Sequence, residues 1–320
     1  MRQSSERATQ RTQTSAIVAP APQRRCASRA LASLALLVAV TLVLWLQATP
    51  AAAVDGVDDW VHTWEVVRSV LMQPPTGPMV YYFGDSTARE STVSDASWTR
   101  QLSARAVKLG RRSDVRAYLL GGHNQTFAMD QTVLEGLPST PAGQARGIVL
   151  IGVSLSRFIG PPTTRLPAEV AFPTPGVSEL SPWTQHHYDS RRILSPALKR
   201  ELVRRWMKRR WAGFKQYRSA NLAAIEKLID ACKAKRLRPV LFELPLNLAV
   251  VGSGLDKPRS SYRTGCAALA RKHDIAYLSL QPSLTLSSSG FYDICHLVHP
   301  GYTRWQARLS REVAELLPRP

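Results

Sequence analysis

Five short apolar runs, residues 79–83, 115–120, 147–152, 239–244 and 275–280, are separated by longer stretches whose apolar residues recur three and four positions apart. Runs of that length, rich in β-branched and aromatic residues, suit strands buried on both faces, and the intervals have the period of amphipathic helices. The clearest helical intervals are 98–109, 221–235, 262–273 and 302–317. Strands that alternate with helices pair in parallel, because each helix must carry the chain back along the sheet. The alternation therefore predicts an α/β domain with a parallel sheet of about five strands, doubly wound by helices. In such sheets the chemistry collects at the carboxyl ends of the strands. A reactive side chain is thus expected just after a strand.

The domain so defined runs from 79 to 320, and a chain of 320 residues with 44% hydrophobic content can bury one sizeable core. Ahead of it, residues 54–78 read as a linker and lead-in helix, with Trp60, Trp64, Val67 and Leu71 at helical spacing. One interval is too long for a simple crossover. Residues 155–219 begin with Pro161, Pro162, Pro167, Pro173 and Pro175 and end in a strongly basic stretch, as an insertion over the sheet edge would.

A formal net charge of +19 points to an anionic partner. Residues 1–29 carry Arg2, Arg7, Arg11, Arg24, Arg25 and Arg29 against Glu6, an uncharged apolar run follows from 30 to 46, and 48–53 is rich in alanine. That order is the order of an export signal, and residues 1–53 fit both a cleaved signal peptide and a retained transmembrane anchor. Export excludes intracellular nucleic acid as a natural partner and leaves an anionic glycan or a membrane surface. Residues 191–218 hold eleven Lys and Arg against the single acid Glu201, and Val203, Trp206, Trp211 and Phe214 can share one face of a basic amphipathic helix. Such a helix serves to contact a membrane surface or glycan, or to pack its aromatics onto the domain. Beyond Cys26 in the leader, Cys232, Cys266 and Cys295 lack zinc-site spacing. One disulfide with a free thiol, or three buried thiols, both fit.

Gly84-Asp85-Ser86 directly follows the first strand, which puts Ser86 at a carboxyl strand end where a helix begins. Free backbone N–H groups there can hold the oxyanion formed when a serine hydroxyl attacks an acyl carbon. At the other end of the domain, just before the last helical stretch, Asp293 and His296 stand three apart. On a short turn that spacing lets the carboxylate hold imidazole Nδ1–H and leaves Nε2 to act as a base.

With an early Gly-Asp-Ser and a late Asp-x-x-His, residues 79–316 resemble the GDSL esterases, also called SGNH hydrolases. The resemblance implies a flavodoxin-like three-layer α/β/α fold and a serine hydrolase or O-acyltransferase acting on acyl esters without a cofactor. It makes Ser86 the nucleophile, His296 the base and Asp293 its orienting partner, with Ser86 N–H as one oxyanion donor. Two middle blocks depart from the family pattern. The second-block glycine falls on Asn124, which tolerates the left-handed backbone, with Gly122 as the competing alignment. The third-block Asn falls on Ser154, so the oxyanion hole is expected from Ser86, Asn124 and Ser154. Asp85, Gly122, His123 and His299 are expected to line the site, and His299 is the rival base. The family's glycine five residues after the catalytic histidine is Gly301, which selects His296. His186-His187 lacks a carboxylate in register, and no metal is assigned. The expected substrates are acyl esters of envelope polysaccharide or lipid. The alternative is an SGNH-like envelope protein that binds or assembles without turnover.

Overall fold

The computed structural model describes residues 57–144, 147–163, 186–281 and 283–320. The expected leader, 1–53, lies outside the described residues, as do 164–185 of the insertion with Pro167, Pro173 and Pro175. Among the described residues no helix is long and apolar enough to cross a membrane.

All five strands form: β1 (Met79–Gly84), β2 (Arg116–Gly121), β3 (Ile148–Val153), β4 (Arg238–Glu243) and β5 (Tyr277–Ser279). They make one sheet in the order β2-β1-β3-β4-β5, and every pairing is parallel. That is the flavodoxin-like order, with its reversal between β1 and β3. Period-two alternation divides the strand residues between two cores. Met79, Tyr81 and Phe83 of β1 and Val149, Ile151 and Val153 of β3 enter one; Val80 and Tyr82, Ile148 and Leu150 enter the other.

The first core is closed by α1 (Val57–Met72), α4 (Phe127–Gly136), α6 (Trp211–Ala234) and α8 (Asp256–His273). The second is closed by α3 (Asp95–Lys108) and α9 (Gly301–Leu316), through Trp98, Leu102, Trp305 and Leu309. Helices on both faces of a parallel sheet make the three-layer α/β/α architecture expected from the alternation. Between these lie α2 (Ser86–Arg89), α5 (Pro196–Arg209) and α7 (Leu248–Val251).

Two expectations change. The lead-in helix is part of the domain: Trp60 and Val67 are buried in the first core, while Leu71 faces solvent. The basic stretch is not one helix. It breaks at Arg210 between α5 and α6, and residues 211–219 belong to the crossover helix that leads to β4, so the insertion ends earlier than expected. Val203 and Trp206 of α5 and Phe214 of α6 are nevertheless buried together against the domain, with Trp206 and Phe214 edge to face at 6.1 Å. Of the two cysteine readings, the structure has free thiols: Cys232 on α6 and Cys266 on α8 are buried in the first core, and Cys295 is half-buried.

Gly301 has a structural reason of its own. A Cβ there would strike the carbonyl oxygen of Gly290, so only glycine lets α9 start this close to the turn that carries Asp293 and His296. Gly301→Ala is expected to cost about 1–3 kcal/mol of stability by overpacking. A lowered urea midpoint at unchanged m-value is the measurement; a wild-type midpoint would refute the contact.

Candidate active site

Ser86 begins α2, immediately after β1, and Ser154 follows β3, so both stand at carboxyl strand ends beside the reversal in strand order. Asp85 caps α2, its Oδ1 accepting from Thr87 N at 3.0 Å. Asp293 and His296 arrive from the turn between β5 and α9. There Asp293 Oδ1 accepts from the backbone N–H of both Cys295 and His296, each at 2.9 Å. Its Oδ2 lies 2.8 Å from His296 Nδ1, and His296 Nε2 lies 2.9 Å from Ser86 Oγ. A carboxylate acceptor at Nδ1 requires the proton there, which leaves Nε2 as acceptor for the serine hydroxyl.

The electrostatics follow from this turn. Burial works to raise Asp293, but its bonds to His296 and to the two backbone N–H groups outweigh that and hold it below the usual carboxylate range. Burial works against the His296 imidazolium, yet Cys295 and Asp293 together hold its pKa well above 6.5. Burial also raises the Cys295 thiol, so it is uncharged near neutrality and the support that counts there comes from Asp293. Asp293, Cys295 and His296 also offer three ligand atoms within 4.8 Å of one another, enough to begin a metal site. Their Nδ1 and carboxylate are already committed to each other.

A cleft of about 380 Å³ opens over Ser86 and His296, lined also by Asp85, His123, Asn124 and Ser154. Asn124 takes the left-handed conformation, φ 55°, as the sequence leads one to expect of an asparagine in that place. Neither its N–H nor that of Ser86 donates to another described residue. Gly122, the competing position, gives its N–H to Gly84 O at 3.2 Å and does not line the cleft. His299 is exposed and also outside the cleft: its N–H bonds Asp189 Oδ1 at 3.0 Å and its ring meets Tyr302. Ser154 lines the cleft, but its hydroxyl donates to Asp85 Oδ2 at 2.9 Å, and the hydroxyl of Ser156 donates to the same oxygen.

Several participants had no signature in the sequence. Arg157 is buried and ties β3 to the Asn124 loop, reaching Gly152 O at 2.6 Å, Gln125 O at 3.2 Å and Asp130 at 2.6 Å. From α1, Asp59 accepts from His123 N at 3.0 Å and pairs with Arg89 at 2.6 Å. Tyr188 stacks on the His296 ring at 4.5 Å, and His186 stacks on Tyr302 at 3.7 Å. Serines and arginines are common enough that only their meeting in space singles these out.

Glu90, one turn after Ser86, is fully buried; Oε1 accepts from His187 N at 3.2 Å, and Oε2, 3.8 Å from His186 Nδ1, accepts no hydrogen bond from the described residues. Burial lifts its carboxyl from 4.5 to about 8 against the pull of Arg89. Between those two values the unfolded chain binds fewer protons than the folded one, so Glu90 lowers stability as pH rises through that window. Glu90→Gln keeps the acceptor and cannot ionise. It is expected to raise Tm at pH 8, by about 2–4 °C for each kcal/mol recovered, and to leave Tm near pH 4 unchanged. An equal shift at both pH values would show that burial of an ionising carboxyl is not the cause.

No family model matches the chain, and no curated relative matches it. Among solved structures, a GDSL-like lipase from Bacteroides thetaiotaomicron is similar over 82% of this chain and 100% of its own, with TM-score 0.42 and 10% identity. A Bacteroides fragilis protein assigned to the acylhydrolases covers 79% and 98%, at 0.39 and 12%. A Desulfitobacterium hafniense protein assigned to the lipolytic G-D-S-L family covers 73% and 99%, at 0.36 and 13%. Likenesses this distant carry nothing about chemistry, and the fold rests on the sheet itself. Sheet order and residue order together agree with the layout expected from the sequence. Ser86 follows the first strand, and Asp293 and His296 precede the last helix.

Proposed function

We propose that this chain is a serine esterase of the SGNH type, and the observation that carries the proposal is the continuous relay Ser86–His296–Asp293 at 2.9 and 2.8 Å beside an open cleft. His296 Nε2 takes the Ser86 proton as Oγ attacks the acyl carbon. The negative charge that develops on the carbonyl oxygen meets the unengaged N–H groups of Ser86 and Asn124. Collapse of the adduct returns the proton from His296 to the leaving alcohol and leaves the acyl group on Ser86. A water, or a sugar hydroxyl in a transferase, then repeats the sequence and releases Ser86.

The finer reading is an exported enzyme acting on acyl esters of envelope polysaccharide or lipid. Its support is compositional: the basic and apolar order of residues 1–53 and the net charge of +19. A second reading, a binding or assembly module on this fold, is favoured by Ser154. With its proton given to Asp85, the third-block position contributes no donor, and loss of one such donor typically costs about 100- to 1000-fold in rate.

A fluorophosphonate probe separates the two. Incubated with the folded chain, it is expected to modify Ser86, as mapped by peptide mass spectrometry. A label on another residue, or none under conditions that label an active esterase, would overturn the esterase reading in favour of the module.

A further inference from the structure

The cleft has a cation on its wall that the relay does not use. Two other charged lining groups, of opposite sign, are already held by local partners. Asp85 is saturated by Thr87 N and by the hydroxyls of Ser154 and Ser156, and Arg157 is matched by buried Asp130. Arg210 also lines the cleft, one turn beyond Trp206, at the break between α5 and α6. Its side chain is exposed, and among the described residues no carboxylate pairs with it. The acid nearest in sequence on α5, Glu201, is engaged by Arg204 at 2.6 Å and Arg205 at 3.7 Å. Apolar groups, Leu155, Ile159, Trp206, Leu246 and Ile294 among them, make up much of the remaining wall. A guanidinium with no carboxylate partner among the described residues, beside these apolar groups and open to solvent, is a ready partner for a carboxylate or phosphate.

We infer that the site selects acyl esters that carry a negative charge, which Arg210 binds while Ser86 attacks the ester. This rests on the esterase reading above. The break in the helix gives it a structural rationale: Val203 and Trp206 are held in the core, and the chain turns at Arg210 before Phe214 re-enters it, so Arg210 sits where the basic helix meets the cleft. The helix behind it is predominantly basic, with Arg200, Arg204, Arg205, Lys208 and Arg209 exposed against the single acid Glu201, and so extends the attraction to an anionic carrier. The charge can belong to the acyl group or to the alcohol, and the test has an arm for each.

Four substrates are compared on the full chain: p-nitrophenyl butyrate with p-nitrophenyl hemisuccinate, and phenyl butyrate with 3-carboxyphenyl butyrate. The wild type is expected to favour the charged member of at least one pair by about tenfold in kcat/KM, the worth of one charge-assisted hydrogen bond. The pair that shows the preference identifies the side of the ester bearing the charge. Arg210→Ala is expected to erase the preference through KM while leaving kcat and the neutral esters unchanged, and Arg210→Lys to restore part of it. A wild type indifferent to charge in both pairs, or an Arg210→Ala variant that keeps the preference or loses neutral and charged substrates alike, overturns the inference. Ser86→Ala reports separately on the reading beneath it: if that variant hydrolyses all four esters, the esterase reading has failed, whatever Arg210 does.

Discussion

Ester turnover by the Ser86→Ala variant is expected to fall about 10⁶-fold in kcat with KM little changed, because the hydroxyl enters only the bond-forming steps. His296→Ala is expected to lose nearly as much, and the double variant no more than either alone. The two groups act as one unit: an unactivated hydroxyl is a poor nucleophile, and a base 2.9 Å from a methyl group has no proton to take. Steady-state hydrolysis of a p-nitrophenyl ester measures all three. Losses that multiply in the double variant would mean that Ser86 and His296 work independently, and the relay would then be a structural hydrogen bond.

The second large effect concerns Asp293. Asp293→Asn keeps the shape of the turn but offers Nδ1 no charged acceptor, so the proton is free to sit on Nε2 and block the serine. A fall in kcat of about 10⁴-fold is expected, as for a triad whose acid is neutralised in place. The pH dependence adds a sign. Asp293 stabilises the imidazolium, and His296 must be neutral to act, so the wild-type rate should climb with pH through a value above 6.5. Without the carboxylate, a main support of the imidazolium is lost, burial weighs more heavily on the ring and that value is drawn down. The acid limb of the variant's kcat/KM profile should therefore move to lower pH even as its plateau drops. A limb that stays in place, or moves up, would assign the titration to another group.

The sheet was legible in the sequence because its strands are buried on both faces and read as uninterrupted apolar runs; β1 and β3 are apolar along nearly their whole length. The ends of α6 were not. Its first turns carry Lys215 and Arg218 like the basic stretch before them, and nothing in composition tells a crossover helix from an insertion when both are cationic. The Asp293–His296 contact could be read because spacing within a turn is local, whereas Ser86, 210 residues from His296, was placed by its position at the end of the first strand. Ser154 could be placed but not oriented, since the acceptor that captures its hydroxyl, Asp85, stands 69 residues away. The same distance in sequence hid Asp59, Glu90 and Tyr188. Each belongs to the site through a contact that forms only when the layers close.

Asp59 gives that closure a practical edge. The helix that bears it joins the sheet only through residues 73–78, yet it holds the His123 amide next to Asn124. Because Trp60, Val66 and Val67 of the same helix are buried in the first core, proteolytic clipping in this short link is expected to loosen that core together with the wall of the cleft beside Asn124. An intact link is therefore a quality criterion for any preparation of this chain.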